Sequence, residues 1–217
     1  MLLLNQTPII DGLHSMHINK DSIKFFKIFL TILMITFSLQ SWTKADDIKD
    51  FQIDGISIGD SLLDYFTKET IDNKKYTPWR NKKTYYQFDF IKKLQKYDGN
   101  TYSFSQDDDE YKIEEVTGRK FLDYSSCKNL QKEITLEIET LFSSADKDDR
   151  GEVKHRIDKS KKTVQTVINY ILKDGSYIHT SCVKWSNKIK NSKGWKDSLI
   201  VAIASAKFVE WQKNKAF

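Results

Sequence analysis

The clearest periodicity in the chain runs from Cys127 to Phe142. Cys127, Leu130, Ile134, Ile138, Leu141 and Phe142 recur three or four positions apart, and Lys128, Lys132, Glu133, Glu137 and Glu139 fill the gaps. That spacing lays one apolar stripe along an amphipathic helix, with Ser125 or Ser126 as its N-cap. Elsewhere the dominant period is two. Thr84 to Phe90 alternates as a strand; Thr101–Ser105 and Tyr111–Val116 flank the acidic turn Gln106 to Glu110 as a hairpin, and Gly118 to Tyr124 continues extended into the helix. Val164–Leu172 and Tyr177–Trp185 are joined by Lys173, Asp174, Gly175 and Ser176, and Asp-Gly between two β-rich runs is a strong hairpin signal. Leu199 to Ala204 is continuously apolar and reads as a central strand with no solvent face. Ser205 caps a short last helix whose Phe208 and Trp211 face inward.

Upstream, Phe51, Ile53, Ile56 and Ile58 read as a short strand, and Asp60 or Ser61 caps a short helix through Phe66. Asp146 to Lys162 is almost wholly polar and reads as a surface loop, as does Asn187 to Lys196. Tight turns between strands make the sheet mainly antiparallel. The expected class is α+β: a mainly antiparallel sheet covered on one face by the long helix 127–142, a two-layer sandwich.

The pattern changes at the N-terminus. Lys20, Lys24 and Lys27 precede the apolar run Ile28 to Leu39, followed by a polar stretch ending at Ala45. These are the parts of a secretory signal peptide. The run is about 18 Å long as a helix, short of the roughly 30 Å hydrocarbon core, so cleavage near Ala45 fits better than a retained anchor. The segment before Met16 carries Asp11 and no Lys or Arg, which places the expected start at Met16. The expected organisation is residues 1–45 as signal peptide and 46–217 as one α+β domain in the periplasm or secreted. An inner-membrane anchored form is the alternative.

A net charge of +5 on 217 residues, with the signs interspersed, gives no nucleic-acid signal. Two cysteines in an exported chain read as a disulfide, Cys127 to Cys182, which ties the helix to the second strand of the Asp-Gly hairpin. Closing a loop of that length contributes about 4 kcal/mol in the chain-entropy treatment.

Candidate chemistry is sparse. Gly55-Ile56-Ser57-Ile58-Gly59 matches a nucleophile elbow in letters, with His155 and His179 as the candidate bases, but it opens the domain instead of following several parallel strands. A structural turn is the plainer reading. Asp146, Asp148 and Gly151 match positions 1, 3 and 6 of a calcium loop, whose twelfth position would be Ile157 where a Glu is needed. Asp107 to Glu110 reads as an acidic hairpin tip. Lys184 with Trp185, Trp195 with Lys196 and Trp211 with Lys213 suit anionic surfaces; the plainer reading puts Trp185 and Trp211 in the core and leaves Trp195 exposed. Neither a cofactor nor a metal is expected.

The stretches DDIKDFQIDGISIGDSLLDYF, FLDYSSCKNLQKEI and DGSYIHTSCVKWS together resemble an uncharacterised family of small signal-peptide-bearing exported proteins of marine bacteria. The resemblance covers most of the domain and both cysteines. It implies export and the fold, and carries no site residues. The expected function is therefore a non-enzymatic binding or envelope-accessory module with an envelope partner or ligand. The alternatives are a hydrolase using Ser57 and a membrane-tethered interaction domain with its signal retained. A localised site is expected on the loops Gly55 to Asp60 or Asn187 to Lys196.

Overall fold

The computed structural model describes residues 47–91 and 96–216. The chain divides into two units between Thr43 and Lys44, and the described residues belong to the second; the signal peptide over 1–45 and the start at Met16 lie outside them. Seven strands form one sheet: β1 (Tyr85–Phe90), β2 (Gly99–Ser105), β3 (Ile113–Phe121), β4 (Asp146–Lys154), β5 (Val164–Ile171), β6 (Tyr177–Lys184) and β7 (Ser198–Ala204). Their order is β1-β2-β3-β7-β6-β5-β4, and every neighbouring pair is antiparallel. The helices are α1 (Lys68–Lys74), α2 (Tyr124–Leu141), α3 (Asn187–Lys193) and α4 (Ala206–Lys215). The class is α+β, with α2 packed on β6 and β7.

Alternation along the strands builds the core. Phe88 on β1, Tyr102 and Phe104 on β2, Val116 on β3, Leu199, Val201 and Ile203 on β7, and Ile178 on β6 all face α2 and the opening segment. The central strand is β7, as its unbroken apolar run requires, because its other face is also partly covered. There Tyr85, Trp79, Phe208 and Trp211 form a second, smaller aromatic cluster beneath α4. The single covered face expected from sequence is thus supplemented at one end of the opposite face.

The stripe on α2 divides. Cys127, Gln131, Thr135 and Ile138 are buried against the sheet, whereas Leu130, Ile134 and Leu141 are only half-buried. Two polar residues therefore occupy the buried row. Gln131 donates from Nε2 to Thr180 at 3.2 Å and accepts from Thr166 Oγ1 at 2.7 Å, so its amide is matched on both sides. The Cys127–Cys182 disulfide, Cα–Cα 5.7 Å, pins the same helix to β6. The cap is Asp123, accepting from Ser125 N and Ser126 N, in place of the serines expected.

Three further expectations are corrected. The opening segment is no strand: a 3-10 turn (Ile48–Asp50) leads to a two-residue reversal in which Ile53 and Ile56 exchange backbone hydrogen bonds. Asp54 (φ 55°) and Gly55 (φ 79°) make that reversal in the left-handed region. The helix placed at Asp60 to Phe66 is a 3-10 turn (Leu62–Asp64) capped by Ser61, and α1 follows it. Second, the polar stretch from Asp146 contains β4, nearly all exposed, which pairs with β5 around a bulge at Asp149/Gly151. An edge strand lying beyond α2 has no covered face to impose alternation. Third, Asn187 to Lys193 is helical, capped by Ser186 and closed by Gly194 at φ 68°.

Candidate functional site

Ser57 is the first residue to place. It is buried; its hydroxyl donates to the carbonyls of Lys49 at 2.6 Å and Phe51 at 3.1 Å, and its N–H donates to Asp60 Oδ2 at 2.8 Å. Those bonds lock the turn after Ile56, and neither histidine is among its hydrogen-bond partners. His155 packs its ring on Trp185 at 4.6 Å and accepts from Ile157 N. Burial, with Arg156 beside it, lowers its pKa.

His179 lies on the opposite side of the sheet from the core. Its Nδ1 is 2.8 Å from Asn169 Oδ1 and its Nε2 is 3.0 Å from Ser181 Oγ. Asn169 also accepts from Tyr177 OH and donates to Asp148. In atoms this is a hydroxyl, a base and an orienting amide, an arrangement that sequence reading missed. Its signal was there in the alternation Tyr177, His179, Ser181, which puts three polar side chains on one strand face. As a nucleophile Ser181 lacks access: it is 1% exposed. It also sits in a strand paired on both sides, with Val167 and Ile200, so the ladder takes up the local amides that an oxyanion would need. Burial lowers the pKa of His179 to about 4 and keeps the ring neutral.

The other candidates also find structural places. Asp146 and Asp148 lie along β4, opposite Ile171 and Asn169, and the extended strand separates them instead of curling them around an ion. Among the described residues no group of three His, Cys, Asp or Glu could hold a metal. At the acidic hairpin tip Asp108 accepts from the backbone of Glu110 and Lys112. Trp211 is buried in the second aromatic cluster; Trp185 is half-buried between His155 and Trp195, and Trp195 is 37% exposed.

What sequence located only in part is a cleft of about 640 Å³ between α2 and the opening segment. It includes Asp54 and Gly55, at the edge of the loop singled out for function. Its apolar wall is the half-buried row of α2, Leu130, Ile134 and Leu141, joined by Phe51, Tyr97 and Leu199. Its rim carries Asp50, Glu133 and Glu137, none with an ion-pair partner among the described residues. Lys96 and Lys120 stand on the rim too, with Lys120 Nζ donating to the Lys96 carbonyl at 2.9 Å. Asp54 is fixed by Lys96 N at 2.7 Å and Asn100 Nδ2 at 3.1 Å. Burial, then the charges of Asp54 and Glu137, raise the pKa of Tyr97 and keep its hydroxyl protonated. A glycine on β3 sets the place of Tyr97: a Cβ on Gly118 would stand 2.8 Å from both Ile53 Cγ2 and the Tyr97 ring, so only glycine lets the opening turn and Tyr97 press onto the strand.

No family model, curated protein or solved structure matches the chain.

Proposed function

We propose that the protein is an exported binding module whose ligand lies in the cleft between α2 and the opening segment. The observation that carries this reading is the split stripe of α2. Leu130, Ile134 and Leu141 repeat as core residues do and pack against the core on one side, yet they stay half-buried and line an open cleft on the other. On the rim above them the carboxylates Asp50, Glu133 and Glu137, none ion-paired among the described residues, outnumber Lys96 and Lys120, so a ligand with an apolar body and a cationic head is the chemistry that fits.

Export is supported by two features: the Lys-flanked apolar run before Ala45 and the Cys127–Cys182 bridge. Fractionation with N-terminal sequencing tests it. The expected mature protein begins at Asp46; an exported chain that keeps the apolar run before Ala45 overturns cleavage, and a precursor peptide containing Asn5 to Ile10 overturns the start at Met16.

The cleft is tested with dansylcadaverine, a fluorescent amphiphile that carries an alkylammonium. Saturable binding with blue-shifted emission is expected. It weakens on Glu133→Gln with Glu137→Gln, and is lost on Leu130→Gln with Ile134→Gln. No saturable binding by the parent chain, or equal binding by both double variants, removes the cleft as the site.

A further inference from the structure

The strand register sends two connections to the same end of the sheet. Lys154 at the end of β4 pairs with Val164 of β5, Val164 pairs with Lys184 at the end of β6, and Val183 and Phe121 both pair with Ser198 at the start of β7. The connections 155–163 and 185–197 are therefore neighbours. They touch through the His155 and Trp185 rings at 4.6 Å and the bond from Ser186 N to Thr163 Oγ1 at 3.0 Å.

Together with Lys154 and Lys184, these connections hold ten Lys and Arg against two Asp, an excess of eight positive charges on a chain whose net charge is +5. The rest of the protein is net acidic. The two aspartates are internal fixtures: Asp158 accepts from Ser160 and Thr163, and Asp197 from Trp185 N and Lys190 Nζ. Lys190 is the only one of the ten in an ion pair among the described residues. The opposite end of the sheet is mixed in sign: the turn with Asp107, Asp108, Asp109 and Glu110 lies beside Lys82 and Lys83, with Gln106 bonded to the Lys82 carbonyl.

Apolar side chains stand within the basic end. Ile157 is 56% exposed, Phe121 41% and Trp195 37%, with Trp195 stacked edge-on against Trp185 at 4.5 Å and Lys196 over the Phe121 ring at 5.5 Å. We infer that this end of the sheet is a docking surface for a bilayer containing anionic phospholipid. Lysines supply attraction to the surface charge, roughly fivefold in affinity for each one close to it. Ile157, Trp195 and Phe121 enter the headgroup layer, as interfacial aromatics and aliphatics do. Nine of the ten cations are Lys and one is Arg, so the planar forks that read phosphodiesters and bases are nearly absent. That composition, with exposed Ile and Trp between the charges, favours a lipid surface over nucleic acid.

The test is amine labelling of the full chain, read lysine by lysine by mass spectrometry, with phosphatidylcholine vesicles that contain or lack phosphatidylglycerol. A site-resolved readout separates this surface from any contact made by the apolar run before Ala45. Labelling of Lys188, Lys193 and Lys196 is expected to fall several-fold only with phosphatidylglycerol and to recover in high salt. Lys68 and Lys207, outside the basic end, stay unchanged. Substituting the three lysines with Gln is expected to weaken binding to the anionic vesicles on the order of a hundredfold, and Trp195→Ala lowers it further without altering the disulfide. Protection that is absent, equal on uncharged vesicles, equal at Lys68 and Lys207, or produced by a DNA duplex in place of the vesicles overturns the inference.

Discussion

The two faces of the sheet come from the same strands, one residue out of phase, and they are built on opposite rules. One face is apolar and closed by α2, the opening segment and a disulfide. On the other, a single register row crosses all seven strands as Asp89, Thr101, Thr117, Ala202, His179, Asn169 and Asp148. The two ends of this row are tied side chain to side chain: Thr101 and Tyr76 donate to Asp89, and Asn169 bridges His179 and Asp148. Packing holds the first face. Away from the aromatic cluster under α4, hydrogen bonds around a neutral His179 hold the second.

The largest blow to that contrast is expected from Cys127→Ala with Cys182→Ala, which releases α2 from β6. Urea denaturation should lose about 4 kcal/mol, and reductant should then have no further effect. Next comes Leu199→Ala under α2, a fully buried side chain on the covered face; about 3 kcal/mol is expected in the same measurement.

The open face should answer to pH instead. His179 has a folded pKa of about 4 against an ordinary 6.5, so as pH falls the unfolded chain takes the proton first. Its contribution is complete above about pH 6.5 and is lost progressively down to about pH 4, amounting to up to roughly 3 kcal/mol. His155 is shifted the same way, so the decisive measurement is the pH dependence of stability in His179→Gln, whose slope over that window should flatten. Asn169, Ser181, Tyr177 and Asp148 are the polar groups around the ring. Asp148, two residues away in the hydrogen-bond chain, is the one anion in that network that would ease its protonation. The smallest change is expected from Thr117→Val, half-buried in the middle of the row, within about 0.5 kcal/mol of the parent. A loss as large as that of Leu199→Ala would erase the distinction between the faces.

Much of this architecture was legible because burial on one side writes a period into the chain. The Asp-Gly hairpin at 173–176, the alternation of β1 to β3 and the apolar run of β7 follow from local spacing, and the Cys127–Cys182 tie from there being two cysteines in a chain read as exported. The misses share a cause. The stretch from Asp146 carries no period because β4 is exposed on nearly all sides, and Ile53 and Ile56 resemble strand residues although Asp54 and Gly55 fold them back on each other. The cleft was only half visible. Leu130 and Ile134 have the spacing of core residues, and only the position of the opening segment decides that they line a wall. Gln131 and Thr135, polar in letters, take the buried places because β5 and β6 offer partners to Gln131.

β4 bears on how copies of the protein meet. A nine-residue outer strand offers unmatched amides and carbonyls to any passing chain, an invitation to sheet growth from molecule to molecule. Here that strand is broken in step at Asp149/Gly151 and carries Lys147, Arg150 and Lys154 among its acids, so a second copy would meet a kinked, densely charged border whose side chains hold water. The polarity that hid β4 from sequence reading is also what keeps the sheet from templating aggregates.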